Sequence, residues 1–242
     1  MRKFIFFLLF ALLSPANLWA QDSDNLKKEI DKIIHYDTNI DFKETPGMVI
    51  GVKFQDSIFF FNYGTTSKEI KSVPNENTIF EIGGLTKAFT ASLVSKLVLD
   101  GKMEFEKSLN SYLPKELDNP DLENMTIDQL LTHTSKMPRM PMEFGVKELE
   151  DNNPYAYYTN QDLMDFYKKF IVIKSKKKKK RKKKNKDNYL YSHLNYALIE
   201  NAIEKSQGQP FEIILENQLL NPLGLNSTRV QLSEDQKVRV LR

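Results

Sequence analysis

The chain has 242 residues, 40% of them hydrophobic and none of them cysteine, so one sizeable core must hold the fold by packing without any disulfide. The formal charge of +3 hides an uneven distribution: setting aside Arg2, Lys3 and the eleven basic residues of Lys174 to Lys186 leaves −10. An acidic body with one basic run excludes the distributed basic face of a nucleic-acid-binding domain, and three scattered histidines without cysteine give no metal site and no sign of a cofactor.

The N-terminus reads as an export signal. Arg2 and Lys3 precede ten consecutive apolar residues, Phe4 to Leu13, and small Ala20 offers a cleavage point. Ten apolar residues are too few to cross a bilayer, so residues 1–20 are expected to be a signal peptide and not a transmembrane segment. The expected destination is the periplasm or the exterior, with residues 21–242 forming a single domain.

Leu26, Ile30, Ile33 and Ile34 follow helical spacing. Pro46-Gly47 opens a strand from Met48 to Phe54, and Gln55-Asp56-Ser57 turns it into a second strand, Ile58 to Tyr63, ending at Gly64. Thr78 to Ile82 leads into a helix that starts near Gly84 and stops at Gly101, with Leu85, Phe89, Leu93 and Leu97 as its apolar stripe. Thr126-Ile127-Asp128-Gln129 has the spacing of a capping box for a short helix through Leu130 and Leu131. Leu163, Phe166, Tyr167 and Phe170 mark another helix, Tyr196 to Lys205 a further one stopped by Gly208 and Pro210, and Phe211 to Leu220 the last. One hairpin followed by a run of helices predicts an α+β class.

The most informative segment is Phe80-Glu81-Ile82-Gly83-Gly84-Leu85-Thr86-Lys87. It resembles the Ser-x-x-Lys motif of serine β-lactamases, penicillin-binding D-Ala-D-Ala peptidases and related esterases, above all the class C branch. Further pieces follow in the family's order: Pro46-Gly47 with its hairpin, Leu130-Leu131-Thr132-His133-Thr134-Ser135, Tyr191-Ser192-His193 in place of Tyr-x-Asn, and Asn221-Pro222-Leu223-Gly224-Leu225. The resemblance implies a β-lactamase/transpeptidase-like fold. It also implies that a serine should stand at position 84, with Lys87 one turn along the helix and Tyr191 completing a proton network. This chain has Gly84 there instead, which has no oxygen to acylate.

Other positions depart from the pattern as well. His193 replaces the asparagine that would hold a substrate carbonyl; it reads equally as a substrate-binding N–H donor with Gly84 or as an exposed residue on a helix start. Lys136 replaces a glycine, and a left-handed backbone there would cost a lysine about 1 kcal/mol. His133 reads as structural, and His35 as solvated. No Lys-Thr-Gly or His-x-Gly triplet follows, so the C-terminal strands of the sheet are expected to be missing and the hairpin edges unpaired.

The basic residues of segment 174–188 interrupt the approach to Tyr191. They read as a disordered insertion, as slippage in a poly-adenine tract, or as a weak contact for anionic envelope polymers. Three functions remain open: an exported, inactive member of the family; a non-catalytic module binding peptidoglycan peptide or β-lactam; and a residual hydrolase using Lys87 and Tyr191 to activate water.

Overall fold

The structure, a computed structural model, describes residues 15–54, 56–67, 71–141, 155, 157–171 and 189–241. The apolar run Phe4 to Leu13 and the basic run Lys174 to Lys186 lie outside them. The described chain forms two compact units, residues 1–81 with 232–242, and residues 82–231.

The first unit carries helix α1 (Pro15–Lys32), which continues as one π-helical turn, Ile33–Asp37. Its only described sheet is a two-stranded antiparallel hairpin, β1 (Met48–Phe54) with β2 (Ser57–Tyr63), in register from Met48 opposite Tyr63 to Phe54 opposite Ser57. Pro46-Gly47 is required by close approach: a Cβ on Gly47 would stand 2.7 Å from both Pro74 Cγ and the Thr65 carbonyl oxygen. Tyr63 ties the hairpin to α1, its hydroxyl donating to Asp31 Oδ1 at 2.8 Å while Phe42 stacks on its ring. Burial and then Asp31 push the Tyr63 phenol up to about 12. Among the described residues Thr78 to Ile82 makes one parallel bridge, Ile79 to Val240, just after the short helix Glu234–Lys237 of this unit.

The second unit is helical and holds the main core. Helix α2 (Thr86–Leu99) follows a 3₁₀ turn at Gly83–Leu85. Then come α3 (Ile127–Leu131), α4 (Asn160–Lys169), α5 (His193–Gln207) and α6 (Phe211–Leu215), the last continuing as a π-helical turn at Glu216–Leu220. The capping box at Thr126 and Gln129 forms as the spacing predicts, and Gly101 and Gly208 take the left-handed conformation that ends α2 and α5.

Helix α5 is the central element, packing against α2, α3, α4 and α6. Its Leu198, Ile199, Ala202 and Ile203 are fully buried, as are Leu93 and Leu97 of α2. Complete burial of a large aliphatic side chain is worth about 1.5–3 kcal/mol, so this face holds α5 in the core, while the Ser192 side chain caps its start by accepting from the Asn195 N–H. Leu85, expected on the α2 stripe, is instead 68% exposed, because the 3₁₀ turn before α2 rotates it off that face. No sequence motif marks Asn119. It is buried, and its amide donates to the carbonyls of Tyr167 at 2.6 Å and Phe170 at 2.9 Å, closing the end of α4.

Candidate active site

Three segments of the helical unit build the site. The 3₁₀ turn and α2 supply Gly84 and Lys87, three residues apart. The turn after α3 supplies His133 and Arg139, and the lead-in to α5 supplies Tyr191 and His193.

The last two segments are stitched together by hydrogen bonds. The Leu190 N–H donates to the His133 carbonyl at 2.8 Å, and the Ser192 N–H to His133 Nδ1 at 3.2 Å. Ser192 Oγ donates to the Pro138 carbonyl at 2.7 Å, and the His193 N–H to the Arg139 carbonyl at 3.0 Å. Beneath them Asn195 donates to the Leu130 carbonyl at 2.9 Å and accepts from Ser135 Oγ at 2.8 Å. His133 therefore acts as an acceptor in the frame that aims Tyr191, and its neutral form carries the proton on Nε2. The turn needs a left-handed backbone at His133 (φ 58°) and at Lys136 (φ 69°), so Lys136 occupies the strained position anticipated for it.

Tyr191 stands at the centre. A Cβ built on Gly84 meets one atom within 4 Å, the Tyr191 hydroxyl oxygen at 3.7 Å, and Gly84 lies outside the left-handed region. Lys87 Nζ is 5.3 Å from the centroid of the Tyr191 ring and 5.5 Å from that of Tyr196. Both rings lie within cation–π reach of the ammonium. The Arg139 guanidinium lies 5.4 Å from the Tyr191 centroid, and His193 meets the same ring edge to face at 5.3 Å.

The structure thus gathers Gly84, Lys87, Tyr191 and His193, the four residues singled out from sequence. It adds Arg139 and Tyr196, which no motif marked; Tyr196 is fixed by its hydroxyl donating to the Leu131 carbonyl at 3.1 Å. Ser92, the first serine after Gly84, is exposed on α2.

The electrostatics follow from burial among cations. Burial and then Lys87 hold the His133 imidazole below its usual range. Burial, then Lys87, Arg139 and His133 do the same to His193. His193 is partly buried, and its Nε2 is enclosed without a hydrogen-bond partner among the described residues. Also among the described residues, no group of three or more His, Cys, Asp or Glu side chains comes together as a metal site, and no helix is long and apolar enough to cross a membrane.

Lys87 at the start of α2 thus lies across from the Tyr191 ring, and Gly84 beside the Tyr191 hydroxyl. The Beta-lactamase family model matches residues 37–242, and the chain belongs to that family. It is 27% identical over 216 residues to a β-lactamase of Providencia stuartii, which covers 87% of this chain and 49% of the relative. It is 24% identical over 197 residues to the D-alanyl-D-alanine-carboxypeptidase/endopeptidase AmpH of Escherichia coli strain K12, over 81% of this chain and 48% of the relative.

Solved structures share the fold. A β-lactamase/D-alanine carboxypeptidase from Yersinia pestis, complexed with citrate, superposes with a TM-score of 0.73 at 19% identity, over 93% of this chain and 59% of that one. A class C β-lactamase gives 0.70 at 25% identity, over 91% and 55%. The α+β class and the β-lactamase/transpeptidase-like architecture expected from sequence are those of these neighbours. The chain spans about half the length of the curated relatives it matches.

Proposed function

We propose that this chain is an exported, non-hydrolytic member of the β-lactamase family that keeps the shape of the substrate site without its nucleophile. The observation that carries this is Gly84: its Cβ position faces the Tyr191 hydroxyl at 3.7 Å, with Lys87 one turn along, and no side-chain oxygen is present. Lys87 and Tyr191 remain able to handle a proton but have no covalent partner to activate. The basic N-terminal start and the apolar run Phe4 to Leu13 support export.

A second reading, a binding module for a β-lactam or a D-Ala-D-Ala peptide, is supported by the gathering of Lys87, Tyr191 and His193 around one open position. Relatives named as β-lactamases and as a D-alanyl-D-alanine carboxypeptidase give the substrate class. Thermal stabilisation of the full chain by a β-lactam or an acyl-D-Ala-D-Ala peptide, without turnover, separates binding from decay. Hydrolysis of a chromogenic β-lactam or ester by the unmodified chain would overturn the non-hydrolytic reading.

A further inference from the structure

We propose that the first unit holds a binding site for an acidic sugar, a polyhydroxyl ligand carrying one carboxylate or phosphate, in the cavity beside Arg239. The site lies wholly in that unit and shares no residue with the group around Tyr191, so it goes beyond the functional reading above and does not rest on it.

Two stretches of chain wall the cavity, one between Thr66 and Thr78 and the other from Lys237 to Val240. Its volume is about 600 Å³. Small-molecule sites run from about 300 to 1,000 Å³. Backbone bonds shape it before any ligand enters. The Ile79 N–H donates to the Arg239 carbonyl at 2.9 Å, and the Leu241 N–H to the Ile79 carbonyl at 2.9 Å. Across the cavity the Thr66 N–H donates to the Ser72 carbonyl at 2.8 Å, and their hydroxyls meet at 2.6 Å.

Charge sets the sign of the ligand. Among the described lining residues Lys237 and Arg239 are basic and none is acidic. Lys237 is matched by Glu234 at 2.6 Å. Arg239 is half-buried and belongs to no ion pair among the described residues, its Nη1 donating to the Asn77 carbonyl at 3.3 Å. The rest of its planar fork is left for a carboxylate or phosphate.

The neighbouring side chains are donors as well. Asn75 Oδ1 is taken by the Asn77 N–H at 2.9 Å, which leaves the Asn75 NH₂ group as its free end. Thr78 Oγ1 accepts the Asn75 N–H at 2.9 Å, which leaves its own proton to donate. Val73 and Val238, both exposed, offer C–H surface to the face of a sugar ring. Donors around one unpaired cation suit an acid rich in acceptors. A ligand bearing an ammonium would find no carboxylate among these residues, and a planar base no aromatic ring to stack on. A bare inorganic anion would leave most of the volume and the amide donors unused.

The test is a titration of the isotopically labelled full chain with glucuronate, glucose 6-phosphate, glucose and inorganic phosphate. The resonances followed are the Arg239 Nε–H and the side-chain amides of Asn75 and Asn77. At least one acidic sugar should shift them saturably, and the tighter of the two identifies the acidic group as carboxylate or phosphate. Glucose and inorganic phosphate should each bind about tenfold more weakly or worse. Arg239→Gln should weaken the acidic sugar by about tenfold, the loss of one charge-assisted partner. Asn77→Asp, at an exposed position, sets a carboxylate beside Arg239 and should abolish binding while the variant melts no lower than the parent. No saturable shift with either acidic sugar, glucose or inorganic phosphate binding as tightly as the better acidic sugar, or an unchanged affinity in either variant overturns the proposal. Hydrolysis of a β-lactam by the same chain would leave this result untouched, so the two readings fail separately.

Discussion

At the scale of single residues, the turn that carries His133 and Lys136 concentrates the cost of the site. Lys136 is exposed and left-handed, with φ of 69°, so its side chain contributes little to offset the strain. Lys136→Gly should raise stability by about 0.5–1 kcal/mol, read as a higher denaturant midpoint with an unchanged slope. An unchanged or lower midpoint would show that the lysine makes a contact worth as much as the strain. Asn195 is the opposite case. It is fully buried, and both ends of its amide are used, by the Leu130 carbonyl and by Ser135 Oγ. Asn195→Ala should cost about 1–2 kcal/mol, because the buried Ser135 hydroxyl loses its acceptor and the Leu130 carbonyl keeps only the longer bond from the His133 N–H. Asn195→Ala should also loosen Tyr191, whose lead-in segment rests on the same frame.

At the scale of elements, α5 carries two titrations of opposite sign. Glu200 sits partly buried in its middle, and burial followed by Glu204 pushes its carboxyl up to about 7. The folded state therefore holds a proton that the unfolded chain releases near pH 4.5, and stability falls as pH rises through this window. Glu200→Gln should stabilise the protein at pH 8 and have little effect at pH 5, a difference that denaturant melts at the two pH values will show. His133, which holds the head of α5, works the other way. Its imidazole is held below the usual value, so the unfolded chain gains a proton first as pH falls below about 6.5, and stability declines from there downward. His133→Asn keeps an acceptor for the Ser192 N–H and suits the left-handed backbone. The difference in stability between wild type and His133→Asn should therefore move in the variant's favour from pH 7.5 to pH 5.5; a constant difference would show that His133 does not titrate in this range.

At the scale of the whole molecule, the prediction is chemical. The chain should not be covalently labelled by a fluorescent penicillin, because position 84 has no oxygen and Ser92 points to solvent. A stable labelled band mapped to any serine or threonine would remove the basis for the non-hydrolytic reading. Gly84→Ser should fold as the parent does, since its Cβ meets only the Tyr191 hydroxyl oxygen at 3.7 Å and no left-handed strain is involved. Even so, Gly84→Ser in this chain should show no nitrocefin hydrolysis above background. The 242 residues contain no Lys-Thr-Gly or His-x-Gly triplet to supply a strand-borne oxyanion donor, and one such donor is worth about 10²–10³ in rate. Robust turnover would show that the remaining groups form a nearly complete active site.

The sequence by itself determined the elements whose signals are local. The capping box at Thr126, the left-handed stops at Gly101 and Gly208, and the hairpin from Met48 to Tyr63 each depend on neighbours a few residues away. It also determined the family, because short motifs kept their order along the chain, and the absent nucleophile, because that is a matter of one residue's identity. Tertiary structure alone decided what surrounds Tyr191. Arg139 and Lys87 are separated by some fifty residues of sequence, and no pattern marks them as neighbours of one ring. The role of His133 as acceptor for Ser192, and of Asn119 as the clasp on α4, were hidden for the same reason: a hydrogen bond between distant segments leaves no periodicity to read. Leu85 shows the limit from the other side, since its helical spacing is right and a single 3₁₀ turn was enough to rotate it into solvent.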